Sequence, residues 1–253
     1  MIKFFRKIRQ QLLTENKFSK YLLYAIGEIL LVVIGILIAL QLNQNVENKV
    51  RDETRQEYYV QLLEDLNKDK LLAEVTLEHF ETDLNAYNDY LKLYENPELP
   101  PKQVYEKLMT LNIVSETLSF NSNTIESLRS SGEIILIPLD IRNKLIDLLR
   151  LQDQIFKDNQ LNHTGKNNMI QDLGIYRGAS TLDSRLKNQP KLKSYLKFDE
   201  NLPEIILGLD SVFRWKYHSE NTTKAHLNIM IVEIDTIIHL IDIEIKNYNH
   251  LND

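Results

Sequence analysis

The hydrophobic and polar positions divide the chain into distinct regimes. Tyr21 to Leu40 carries one charge, Glu28, and Ile29 to Leu40 is apolar without a break. Twenty helical residues rise about 30 Å, the thickness of the hydrocarbon core of a bilayer. From Tyr59 the pattern becomes a heptad. Tyr59, Leu63, Leu66, Lys70, Ala73, Leu77, Phe80, Leu84, Tyr87, Leu91 and Tyr94 follow steps of four and three, and all but Lys70 are apolar. This period predicts one long helix packed in a coiled coil or bundle. Between the two, residues 43–57 ("NQNVENKVRDETRQE") are polar on nearly every face and predict a solvated stalk, either helical or loose. A second stripe closes the chain: Phe213, Tyr217, Glu220, Lys224, Leu227, Ile231, Ile234, Ile238, Ile241, Ile245 and Tyr248. Ile229, Met230 and Ile237 widen it, so this helix is expected to be buried on more than one side and packed against 59–94.

Shorter elements lie between the stripes. "NPELPP" (96–101) interrupts the chain, and Pro101 suits the first turn of a short helix over 102–112. In "FNSNTIESLRSSGEIILIP" (120–138), Ser122 or Asn123 caps a helix, Ile125 and Leu128 face inward and Gly132 stops it. "IILIP" reads as a short buried run, either extended or turned. The next helix follows Pro138, with Ile141, Leu145, Leu148, Gln152 and Ile155 on its face. Residues 163–203 hold three of the seven glycines and two of the six prolines. They read as the least regular part, where a binding loop would sit. The expected fold is all-α: one N-terminal transmembrane helix, then a long helix and an outer bundle of about five to seven helices. The expected organisation is a basic amphipathic cytoplasmic segment (1–20), a transmembrane helix (21–43), a polar stalk (44–58) and a helical outer domain (59–253).

Charge orients this arrangement. Residues 1–20 carry Lys3, Arg6, Lys7, Arg9, Lys17 and Lys20 against Glu15. Beyond residue 43 stand 24 basic and 34 acidic residues, a net of −10. The positive-inside rule places the N-terminus in the cytoplasm and 44–253 outside. In the head, Phe5, Ile8 and Leu12 share a helical face, as a short helix on an anionic leaflet would need. The head is too short to hold an output domain. The acidic body argues against nucleic acid as a partner, because phosphate binding needs a basic face. The absence of Cys excludes disulfides, thiolate metal sites and Cys nucleophiles. A cleaved signal peptide would have an apolar core of about 7–15 residues and an A-x-A-like site. Here the run is longer and "IALQLNQN" offers no such site, so an uncleaved anchor is expected.

Glu28 is the anomaly in the apolar run. A carboxylate at mid-membrane depth costs about 2.5–3.5 kcal/mol on insertion scales. One turn to either side stand Tyr24, Ala25, Leu31 and Val32, with no base among them. Ala25, Glu28, Val32, Gly35, Ala39 and Leu42 follow alternating steps of three and four, so they form one seam. Small residues let membrane helices approach closely, and polar groups then bond across them. The seam is therefore expected to be a helix–helix interface. The alternatives are a Glu near the cytoplasmic boundary that reaches for headgroups, and a group on a proton or ion pathway.

No motif specifies a reaction. There is no phosphate loop, no HExxH and no Gly-x-Ser-x-Gly. Asp235, His239 and Asp242, or His79 and Asp83, share a helix edge as metal ligands do, but a solvated face is the simpler reading. Ser130, Ser131 and His163 hold the residue types of a triad, with nothing to locate an oxyanion hole. Arg214-Trp215-Lys216 with Tyr217 could bind an anion or a sugar; the alternative is a core Trp with flanking solvated bases. Arg129, in "SLRSSG", either pairs with Glu126 or Glu133 or projects into a pocket. Arg129, Arg214 and Trp215 are thus the candidates for a ligand or partner surface. No catalytic residue, metal or cofactor is expected.

"ENKFSKYLLYAIGEILLVVIGILIALQLN" (15–43), with the basic start "MIKFFRKIRQQLL", resembles an uncharacterised family of Bacteroidota single-pass membrane proteins, a domain of unknown function. "SLRSSGEIILIP" is similar to that family's Leu-x-x-Ser-Gly segment. Members often leave the membrane through an Asn-Asn-Trp-Asn-like stretch; here "NQN" is followed by Val46, without the Trp. The resemblance implies a Gram-negative inner membrane with the outer domain in the periplasm, and no activity. The expected function is an oligomeric or accessory interaction subunit of a membrane complex, in contact with the bilayer and with a second copy or another membrane protein. The alternatives are a periplasmic ligand-binding or sensor module signalling through a partner, and an enzyme without a readable motif.

Overall fold

The computed structural model describes residues 18–177 and 182–252. Among them the chain is all-α, with seven α-helices and no strand. These are α1 (Phe18–Leu91), α2 (Pro101–Leu108), α3 (Asn123–Ser131), α4 (Leu139–Arg177), α5 (Leu182–Leu186), α6 (Pro190–Tyr195) and α7 (Leu202–Asn252). Most of the basic head expected over 1–20 lies outside the described residues. The chain divides into two units, 1–57 and 58–253.

In the first unit the backbone is helical from Phe18, and the polar residues 43–57 continue the helix. Local pairs suit its exposed surface: Arg55 with Asp52 at 2.8 Å, and Gln41 with Asn45 at 3.1 Å. Among the described residues one stretch is long and apolar enough to cross a membrane, by length and composition, and none of it is buried. Ile29, Leu31, Ile34, Leu37 and Leu42 are all exposed. A Cβ added at Gly27 or Gly35 would find nothing within 4 Å.

The second unit is built on three long helices. The C-terminal part of α1 runs antiparallel to α7, with Lys70 on Asp235 at 2.6 Å, Lys216 on Asp83 at 2.5 Å and the Tyr90 hydroxyl donating to Asp210 at 2.7 Å. Helix α4 is also antiparallel to α7, with Lys144 on Glu233 at 2.9 Å and the Trp215 indole N–H donating to the Asn162 carbonyl at 3.2 Å. Two apolar clusters fill the interior. One joins Tyr59, Leu66, Phe80, Leu145, Ile155, Met230 and Ile237; the other joins Tyr87, Tyr90, Leu108, Leu173, Ile205 and Leu209.

The buried stripes are turned relative to the expected ones. Tyr59, Leu66, Ala73, Phe80, Leu84 and Tyr87 are buried as the heptad predicts, but Leu62, Asp69, Thr76 and Tyr90 are buried as well, while Leu63, Lys70 and Leu77 are half-buried and Leu91 and Tyr94 are exposed. On α7, Thr223, Met230 and Ile237 are buried where Lys224, Ile231 and Ile238 were expected to lead. The physical reason is the interior position of polar residues. Asp69 is buried because it accepts hydrogen bonds from the backbone and side chain of Asn121, at 2.8 and 2.7 Å, and from Gln152 at 2.7 Å. An apolar pattern does not register such a position.

The segment expected to be least regular is mostly helical. Helix α4 continues through His163 to Arg177, and two short helices occupy part of 182–195. The irregular stretch lies earlier, at 112–122, which has no helix or strand. It forms a strap running back along α1. Asn112 bonds Asp83 at 3.0 Å, the Glu116 carboxylate meets His79 at 2.8 Å, and Thr124, just past its end, donates to Asp65 at 2.6 Å. Backbone without secondary structure needs other hydrogen-bond partners when it covers a core. Helix α4 supplies them from one face: Asn159 and His163 donate to the Glu116 carbonyl at 3.1 and 2.8 Å, and Lys166 donates to the Ile113 carbonyl at 2.6 Å. Leu118, fully buried, pins the middle of the strap. Gly132, at φ 80°, ends α3 as expected, and "EIIL" forms a 3₁₀ turn before α4.

Candidate functional site

Two features of the second unit hold polar chemistry. The first is a buried charge network where α1, α4, α7 and the strap meet. Lys216 lies 2.5 Å from Asp83 and 2.5 Å from Glu220, and its side chain is 5% exposed. Lys166, also buried, gives its ammonium to the Ile113 carbonyl and to the Ser115 hydroxyl at 2.5 Å. Burial pushes the Glu220 carboxyl up to about 7, against the opposing pull of Lys216. Burial, and then the Lys216 charge, holds the Lys166 ammonium below the ordinary lysine range. These groups are directed at one another and at the strap's own backbone. The network therefore fixes the fold where the four segments meet. Beside it the Tyr87 ring lies 4.9 Å from that of Tyr217, and burial raises the Tyr87 hydroxyl to about 12.

The second feature is a groove of about 680 Å³ between α4 and α7. Asp158, Leu161, Asn162 and Met169 line one wall; Ser211, Arg214, Trp215, His218, Ser219 and Thr222 line the other. Trp215 lies against Gly165, where an added Cβ would stand 2.8 Å from an indole carbon. Gly in a helix interior costs about 1 kcal/mol relative to Ala. At Gly165 that cost gives the indole room beside α4. The ring is further held by its bond to the Asn162 carbonyl and remains 40% exposed.

The structure separates the candidates. Arg214 and Trp215 share the groove, but Arg129 is exposed on α3, whose N-terminal turn packs beside Asp65 through Thr124. Glu133, an expected partner of Arg129, instead accepts the Tyr58 hydroxyl. The alternative of a core Trp with flanking solvated bases is reversed in two respects: Trp215 is half-exposed and Lys216 is the buried residue. Ser130 and Ser131 donate to carbonyls of their own helix, and His163 holds the strap. Asp235 is engaged by Lys70, Asp83 by Lys216 and His79 by Glu116. Among the described residues no three His, Asp or Glu side chains are placed to hold a metal ion. The seam residues from Ala25 to Leu42 lie on the described part of α1.

Sequence reasoning missed Lys166 and His218, and passed over Glu220 as one member of a stripe. Two signals stood in the chain: a Glu one turn after Lys216 on a buried face, and a mid-helix Gly in a protein with a single Trp. No family model, no curated protein and no solved structure matches the chain. The functional reading therefore rests on this geometry.

Proposed function

We propose that the chain is a single-pass inner-membrane protein, anchored by residues 21–43 with its N-terminus in the cytoplasm and 44–253 in the periplasm. It works as an oligomeric or accessory interaction subunit of a membrane complex and not as an enzyme. The observation that supports this best is the membrane-length apolar stretch of α1, none of which the chain itself buries. Gly27 and Gly35 lie in it and meet nothing of the chain itself. A helix hydrophobic all round needs an apolar surrounding, and small residues in a membrane helix favour close approach of a second helix. Glu28 shares the seam with Gly35 and Ala39.

The anchor is tested by expressing the full chain in Gram-negative cells. Full-length protein resistant to alkaline carbonate extraction, with 58–253 digested by protease in spheroplasts but not in intact cells, is the expected result. A shortened soluble chain beginning after Leu40 would replace the anchor with a signal peptide. The interaction is tested by pull-down from native membranes in mild detergent, with wild type beside Glu28→Gln and Glu28→Leu. Loss of the associated mass in Glu28→Leu supports the seam; unchanged mass and partners in both variants removes Glu28 from the interface.

A second reading, a ligand-binding module of the periplasmic part, is favoured by the groove at Trp215. Its volume falls in the range of small-molecule sites, about 300–1,000 Å³.

A further inference from the structure

We propose that the groove between α4 and α7 binds a saccharide, with Trp215 as its stacking platform. The proposal rests on the ligand-binding reading of the outer part and is independent of the anchor.

A pyranose ring has a C–H face and an edge of hydroxyls that both donate and accept. The groove offers matching surfaces. The half-exposed indole of Trp215, with Leu161 and Met169, supplies the apolar part. Acceptors and donors stand on both sides: Asp158 and Asn162 on α4, and Ser211, Arg214, His218 and Thr222 on α7. A purely apolar ligand would leave these walls unpaired, at a cost in affinity. A simple anion would meet the Asp158 carboxylate in the wall opposite Arg214, and a body whose net charge is −10. A neutral, hydroxyl-rich ligand with one apolar face avoids both penalties.

The platform is also fixed in advance. The absent Cβ of Gly165 and the bond to the Asn162 carbonyl hold the ring before any ligand arrives. Preorganised groups lose little freedom on binding. Arg214 is in none of the described ion pairs and remains exposed at the groove. Its planar guanidinium can donate to two neighbouring hydroxyls at once.

Trp215 is the chain's single tryptophan, so intrinsic emission reports on this groove alone. The test uses the full chain in a detergent without a sugar headgroup, titrated with maltotriose, cellotriose and chitotriose up to 10 mM as about the weakest affinity of interest. Benzoate and octanoate serve as anionic controls. A saturable change in emission with at least one trisaccharide is expected, and none with the controls. Calorimetry on the responding sugar should show affinity at least tenfold weaker in Trp215→Ala and several-fold weaker in Arg214→Ala, with both variants melting as folded protein. No response to any of the three sugars overturns the proposal, as does binding that survives Trp215→Ala. A response to benzoate or octanoate alone also overturns it and assigns the groove to anions. None of these outcomes touches carbonate extraction, so failure of the groove and failure of the anchor are distinguishable.

Discussion

Lys216 is buried between two carboxylates, Asp83 and Glu220, each at 2.5 Å. Removing one member of such a set strands charge in the interior, which costs about 3–5 kcal/mol. Lys216→Met should therefore lower stability by about that amount in chemical denaturation, with an unchanged m-value. Glu220 makes stability depend on pH, and the sign follows from proton counting. Its carboxyl titrates near 7 in the fold, against an ordinary value of 4.5. Between those values the folded chain holds a proton that the unfolded chain has lost, so stability falls as pH rises through this window. Thermal melts at pH 6 and pH 8 should show a larger loss in wild type than in Glu220→Gln; an equal loss in both would remove Glu220 as the source. At Gly165 the argument is steric. Gly165→Leu places side-chain atoms inside the indole's space, and overpacking costs about 1–3 kcal/mol. Its emission spectrum should shift to the red as Trp215 is driven into water.

At the scale of elements, the strap is the part whose stability is least shared. Three of its backbone bonds come from side chains of α4, and Lys166 bonds both the Ile113 carbonyl and the Ser115 hydroxyl. Loss of such a donor leaves the Ile113 carbonyl without that bond, at about 1–3 kcal/mol. In Lys166→Met, hydrogen exchange and limited proteolysis should accelerate at 112–122 first, with α1 and α7 still protected; uniform acceleration would show that the strap does not open by itself. The strap also explains where the sequence misleads. Its residues, "NIVSETLSFNS", carry no period, and the donors that hold it stand on another helix as Asn159, His163 and Lys166, spaced by four and three. That spacing is visible in the sequence, but it reads as a solvated face until a backbone is known to lie against it. The long helices were legible because every seventh position, Tyr59 to Tyr87 and Glu220 to Ile241, is buried as the pattern requires. Most intermediate positions, Leu84 apart, were misjudged because Asp69, Thr76 and Thr223 are polar and interior.

At the scale of the molecule, the groove and the proposed anchor differ in how far the chain announces them. Twenty residues with one charge are legible from composition alone. The groove is not, since its walls come from residues some fifty positions apart on α4 and α7, such as Asn162 and Trp215. The proposed seam, in turn, makes a claim about a second helix that no single chain can display. The chain has no cysteine, so introduced cysteines report without background. The most direct measurement is an oxidative cross-linking scan in native membranes with single cysteines at 25, 28, 30, 32, 35, 37 and 39. The expected profile has strong coupling at 25, 28, 32, 35 and 39 and weak coupling at 30 and 37. A flat profile, or one that peaks at 30 and 37, would contradict the seam.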